Sequence, residues 1–419
     1  MTFPQILMVL TLASMVTGKV PLYLTALIGA TVAALAAGFP LTGQGVTVIS
    51  LIQRGMHPII LDMLGVLMFV GVMEKAGFLN TVIIKMMQIG AKLGGGPGVA
   101  TVGGISAGMI GGLTGFTQPA ITGVITGPPA VKLGMDKNIV AGIIGHAGHL
   151  GNFGGFTHPT IVAVIATAGI TFGAINVVGA TVALSIFAAS YIRVVRLMKK
   201  QGLSTGAGQD VKLDVEATNI PFLKAFFPFI VLIVGFIVGI PVIFVGIGSA
   251  LLTVLLSYRN LNIGEKDMLE GLTRITVPLF AIIAFLYMSA VILEIGLSAL
   301  IGTALEPFLA FAPITMLFLV GALAGLITQS NSASIPIIIP FLALVMATTD
   351  VNPLAAAVAA AGGPAIMQYY LTGGPLAALA TVIPIIPGSE LKTANRFQRP
   401  SILVGIVVVY IFAIVLNLF

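Results

Sequence analysis

Two short stretches, one in each half of the chain, interrupt otherwise long apolar runs in the same manner. Residues 111–131 read GGLTGFTQPAITGVITGPPAV and residues 324–344 read AGLITQSNSASIPIIIPFLAL. A shift of 213 positions brings Gly112 onto Gly325, Leu113 onto Leu326, Thr117 and Gln118 onto Ser330 and Asn331, and Ala120 onto Ala333. After one single-residue slip, Asp136 and Asn138 fall on Asp350 and Asn352, and Gly148 on Gly362. Gly- and Pro-broken segments in corresponding positions are the mark of two structural repeats that build one site between them.

Composition says what solvent those halves occupy. Apolar residues make up 58% of the 419, charged residues 8%, and mean hydropathy is +1.14. A soluble domain carries about 25% charge, so this chain reads as a polytopic membrane protein. A helix rises about 1.5 Å per residue through a hydrocarbon core of about 30 Å, which leaves room for roughly ten spans and some shorter re-entrant pieces. The lack of cysteine excludes disulfides and cysteine-based metal sites. A pI near 9.6 does not indicate nucleic acid, because in a membrane protein the position of the basic residues is what matters. No basic n-region and no cleavage-like site precedes the first apolar stretch, so residues 4–18 read as a retained span.

Long apolar runs place spans near 4–18, 20–38, 58–74, a broken 138–170 and 173–193. The second half offers 226–240, 242–258, 276–293, a broken 353–386 and 400–418. Between the third and fourth spans of each half comes an apolar helix predicted to lie sideways (78–93 and 297–311), then a re-entrant hairpin (98–131 and 313–344). The expected fold is all-α, with two inverted repeats at 1–193 and 224–419, each of five transmembrane helices plus a hairpin, joined by a cytoplasmic linker at 194–223. Five crossings per half turn the second half over relative to the first. With both termini outside, 18 of the 19 Lys and Arg face the cytoplasm and Arg54 alone faces out, as the positive-inside rule requires. Other matches keep the register: Phe3-Pro4 with Phe227-Pro228, Pro58 with Pro278, and VMEKAGFLNTVI with ILEIGLSALI, which sets Glu74 against Glu294.

An unpaired polar group at membrane depth costs several kcal/mol, so irregular backbone is tolerated there only when it is buried in protein or lines a cavity. The hairpin tips carry Thr117 and Gln118 before Pro119, and Thr328, Gln329, Ser330, Asn331 and Ser332. Their hydroxyl and amide oxygens suit a hard cation such as sodium, and the helix N-termini at such breaks suit an anion. The broken spans opposite read GHAGHLGNFGGFTHPT (145–160) and AAAGGPAIMQYYLTGGP (359–375). They add Gly148, His149 and Asn152 from one half and Gly362 and Gly363 from the other. Five glycines within 145–156 predict unwound backbone there. The combination points to the binding site of a secondary transporter.

The SNSASIPIIIP stretch (330–340) resembles the Ser-Asn-Thr signature of the divalent anion/sodium symporters. The layout of spans and hairpins is similar to that of the wider ion transporter superfamily to which those symporters belong. The resemblance implies a sodium ion at Ser330 and Asn331, with Ser332 completing the triplet and the same residues touching a substrate carboxylate. The first-half counterpart is Thr117-Gln118-Pro119, with a longer amide and no hydroxyl at its third position.

His146 and His149 share a helix face, and Asp62 lies a few residues into the third span, so these three are the candidates for a coupling proton. Against that stand structural roles: histidines bonded to carbonyls, and Asp62 paired with Arg54 or His57. Glu74 and Glu294 read as interfacial, Asp136 and Asp350 as helix N-cap region residues. HAGH has neither the spacing nor the Glu of HExxH, which argues against a metalloprotease, and no enzyme chemistry, cofactor or metal beyond sodium is expected. The sequence predicts a multi-pass transporter in the inner membrane of a prokaryote, coupling sodium or a proton to the movement of a small organic anion, a carboxylate, by alternating access. A sodium/proton antiporter is the alternative, and a channel or non-transporting scaffold the third reading. The expected partners are the anion, the cation and membrane lipid, with no nucleic acid, and by analogy a second copy of the chain.

Overall fold

The structure is a computed structural model that describes residues 1–17, 19–114, 119–207, 219–371 and 378–419. The first half holds α1 (Phe3–Val16), α2 (Leu22–Ala36), α3 (Val48–Arg54), α4 (Ile59–Lys75), α5 (Phe78–Thr114), α6 (Pro119–Lys132), α7 (Lys137–Gly145), α8 (Ala147–Phe153), α9 (Pro159–Ala168) and α10 (Ala174–Lys200). The second holds α11 (Phe222–Ile237), α12 (Val242–Leu256), α13 (Leu261–Leu272), α14 (Thr276–Glu294), α15 (Leu297–Phe311), α16 (Pro313–Thr328), α17 (Asn331–Thr348), α18 (Pro353–Met367), α19 (Ala378–Val382) and α20 (Leu391–Leu416). Among the described residues every regular element is helical, and the chain is an all-α polytopic membrane protein.

By length and composition three helices can cross a membrane unaided, α10, α17 and α20. Two bent pairs add to these: α3 with α4, at 48°, and α14 with the start of α15, at 71°. Seven shorter apolar helices of 10–17 residues complete the set, because most of the predicted spans are short or interrupted. The sharp turns have a local cause. Gly77 between α4 and α5 and Gly296 between α14 and α15 sit at φ 75° and 71°, left-handed values that glycine adopts without a Cβ penalty. They follow Glu74 by three residues and Glu294 by two, one position apart in the register that pairs those glutamates. The sideways helix predicted at 78–93 ends where α5 kinks at Gly95, φ 58°, and the rest of α5 packs on α6 as a helical hairpin. α16 and α17 pack together as the second hairpin. The short helices α3 and α13 were not anticipated, and the broken run at 138–170 is three helices, α7 to α9.

The two halves interlock through their third spans. α4 packs against α12 and α13, while α14 packs against α2 and α3. Small residues allow the approach: a Cβ on Gly65 would lie 2.7 Å from the Ile243 Cα, and one on Gly71 would lie 2.8 Å from the Gly271 Cα. Two ion pairs repeat the exchange. Arg54, closing α3, meets Glu294, closing α14, at 2.6 Å, and Arg274, just after α13, meets Glu74 on α4 at 2.5 Å. Each pair joins residues that the charge count assigns to the same side. Their side chains are 29–49% exposed, so each contributes at most about 1 kcal/mol, and register is their main effect. A second bundle gathers α5 to α10 with α16 to α20, through contacts of α8 on α5, α18 on α16 and α20 on α10.

This packing makes Gly246, whose missing side chain admits the Gly65 backbone, intolerant of enlargement. Gly246→Leu is expected to lower stability by about 1–3 kcal/mol, the usual range for overpacking, read as a fall in Tm of the purified protein. An unchanged Tm would show that α4 and α12 are not tightly apposed.

Candidate functional site

The second hairpin tip is built by a break between α16 and α17. Gln329 closes α16 in the left-handed region, φ 50°, a conformation of a bulky non-glycine residue that marks local strain. Ser330 then caps α17, its Oγ accepting from the Ala333 N–H at 3.3 Å. The Thr328 hydroxyl sits 3.0 Å from the Ser330 carbonyl oxygen, and Ser334 donates to the same oxygen at 2.8 Å. Asn331, the first residue of α17, is 2% exposed. Its backbone N–H donates to Gln368 Oε1 at 2.8 Å. Its Nδ2 lies 3.4 Å from the Asn152 carbonyl oxygen and 3.4 Å from His158 Nδ1. The Asn152 carbonyl can only accept, which orients the amide and leaves Oδ1 buried with no partner; Gln329 Oε1 is buried and unpartnered as well.

The facing wall comes from both halves. His158 caps α9, its Nδ1 accepting from the Thr160 N–H at 3.3 Å, so the N-termini of α9 and α17 meet at the His158–Asn331 contact. Asn152 on α8 donates from Nδ2 to the Tyr369 hydroxyl at 2.7 Å. Gly148 leaves room for that hydroxyl, which a Cβ would overlap. The unwound backbone predicted for 145–156 is confined to its end: α8 runs through Gly148 and Gly151, and the chain opens after Phe153. The glycines serve close approach instead. Gly155 lies against Gly112, whose carbonyl accepts from the Phe156 N–H at 2.7 Å. The freed Gly155 carbonyl accepts from Asn176 Nδ2 on α10, also at 2.7 Å.

Behind this wall lies a second polar group. His146 and His149 are fully buried, with ring centroids 5.4 Å apart. His146 Nε2 is 2.7 Å from Ser190 Oγ, which donates to Ser401 Oγ at 2.7 Å, linking the α7–α8 junction, α10 and α20. His149 stands edge-on to Tyr369 at 4.8 Å. The Ala365 carbonyl is near His149, yet neither of its ring nitrogens makes a hydrogen bond of ordinary geometry, and His146 Nδ1 is also unpartnered.

The remaining candidates divide. Thr328, Gln329, Ser330, Asn331, Asn152, Gly148 and His149 belong to this region, and Ser332 lies in the first turn of α17. Gly362 and Gly363 are packing positions, closed on by Val409 and Phe153 and by the α16 backbone. Asp62 is elsewhere in the fold: its Oδ1 accepts from the Ile243 N–H at 3.1 Å, capping α12, while Arg54 pairs with Glu294. Asp136 caps α7, but on the matching helix α18 the cap is Asn352 and not Asp350. Thr117 and Gln118 lie outside the described residues. His158, Gln368 and Tyr369 complete the site; the sequence signal for them was their place in the two broken spans.

No family model matches the chain, and no curated protein matches it. Solved structures do share its fold. The Alcanivorax borkumensis YdaH transporter aligns at a TM-score of 0.59 and 17% identity, covering 100% of this chain and 98% of that one. Neisseria gonorrhoeae MtrF, described as illuminating a class of antimetabolite efflux pumps, aligns at 0.63 and 11% identity over 94% and 95%. The chain therefore has a membrane transporter fold.

The Asn152–Tyr369 bond is the simplest element of the site to test. Tyr369→Phe strands a buried amide donor, so the variant is expected to lose about 1–3 kcal/mol of stability. Thermal unfolding at wild-type temperature would show that this bond does not hold α8 to the end of α18.

Proposed function

We propose that the chain is a cation-coupled secondary transporter of a small organic anion, a carboxylate, working by alternating access between two inverted repeats. The observation that carries this reading is the junction at Asn331. Two helix N-termini, of α9 and α17, converge there, and their partial positive charge favours an anion. Beside them stand Asn331 Oδ1 and Gln329 Oε1, buried oxygens without a donor. Neutral oxygens of this kind fit a monovalent cation such as sodium, with Ser330 and Asn331 as its ligands. Asn152, His158, Asn331, Gln368 and Tyr369 include no Lys, Arg, Asp or Glu. Neither ion then has a fixed counter-charge among them, and binding as a pair avoids leaving either charge uncompensated. Coupling follows from that electroneutrality.

The same reading places the protein in the inner membrane of a prokaryote with both termini outside, as a homodimer, and within the ion transporter superfamily. The buried His146–His149 pair supports one competitor, a sodium/proton antiporter. In that case the histidines or Asp62 carry the proton.

The experiment is thermal stability of the purified protein across mono- and dicarboxylates, each with sodium or potassium at two pH values. A ligand at a hundredfold excess over its Kd adds about 2.7 kcal/mol. Sodium-dependent stabilisation by one carboxylate, lost in Asn331→Ala, is the expected result. Stabilisation by sodium alone, opposed by protons and indifferent to every anion, would overturn the symport reading in favour of the antiporter.

A further inference from the structure

Apart from the Asn331 site, a cavity of about 250 Å³ opens between the second hairpin and the helices beside it. Its walls are Leu12 of α1, Ser298 and Ile301 of α15, Val320 of α16, and Ile337 and Leu344 of α17, with further apolar side chains between them. Ser298 is 5% exposed, and its Oγ is buried without a hydrogen-bond partner. The reason is positional. A serine in a membrane helix commonly bonds the carbonyl four residues back, as Thr303 does to Ala299 on the same helix at 3.1 Å. For Ser298 that residue is Glu294, which belongs to α14 beyond the 71° bend.

We propose that this cavity binds one acyl chain of a membrane phospholipid, the ester carbonyl accepting the Ser298 hydroxyl, and that the chain seats α17 against α1 and α15. Water is the wrong occupant. An apolar cavity of about 150 Å³ already stays dry and takes up benzene, and a buried water needs two to four polar partners. The chemistry that fits is a hydrocarbon chain with a single neutral acceptor near one end, which an ester-linked acyl chain supplies. The route is open on the lipid side, since Leu319 and Leu323, on either side of Val320 along α16, are 45% and 54% exposed.

The test uses the full chain reconstituted with a phosphatidylcholine carrying a diazirine on one acyl chain. Illumination should label the segments 297–301 and 336–344, and Ser298→Phe or Val320→Trp, which fill the cavity, should reduce that labelling to background. Phosphatidylcholine added back to delipidated protein should raise the Tm of the wild type and not of the filled variants. Two fillers on different helices guard against one that does not fold, and the labelled positions in the wild type are decisive without either. Label confined to other surfaces, or equal label in wild type and both fillers, would overturn the assignment. Labelling displaced by a soluble alkanol but unaffected by unlabelled phospholipid would overturn it too, by making the site one for a free apolar solute.

Discussion

Inside a bilayer a broken helix must find partners for every backbone group it frees, because no water is there to supply them. The rest of this structure depends on how that is done. The opening after α8 is closed by Asn176, which takes the Gly155 carbonyl, and by the Gly112 carbonyl, which takes the Phe156 N–H. The break between α16 and α17 is closed by Gln368 on the Asn331 N–H and by the Thr328 and Ser334 hydroxyls at the Ser330 carbonyl. Each repair reaches to a different helix or across the break itself, so the breaks bind the second bundle together. Among the described residues the side-chain oxygens left without a partner include Gln329 Oε1 and Asn331 Oδ1, both at the second break.

The places of the breaks, though not their repairs, could be read in the chain itself. Polar, proline-flanked tips in two apolar halves are visible because lipid tolerates so few such residues; the left-handed turns at Gly77 and Gly296, in segments matched only for register, were not foreseen. The glycines of the first broken span were harder. Low helix propensity argued for unwinding, but Gly148 and Gly151 lie within α8, where burial and close contacts override propensity. Asp62 was visible as an intramembrane carboxylate, yet its partner, the Ile243 N–H, lies 181 residues away and no local pattern announces it. His158 and Tyr369 matter through contacts that cross the halves, information that spacing along one chain does not hold.

Polarity without net charge distinguishes the Asn331 region from an ordinary anion site with an arginine at its centre. Helix ends and amide oxygens are fixed dipoles. They attract either sign of ion at the correct end, and they do so without the desolvation penalty of burying a permanent charge. Such a site can empty without leaving a buried unpaired side-chain charge behind, a property that suits the alternating access proposed above.

The exchange of ion pairs has a consequence of its own. One half contributes Arg54 and Glu74, the other Arg274 and Glu294, and each arginine is held by the other half's glutamate. Each half thus carries both the knob and the socket of the same contact, which is the bonding pattern of a two-fold homodimer written into a single polypeptide. A half chain released from its fellow would already present the complement of a second copy of itself.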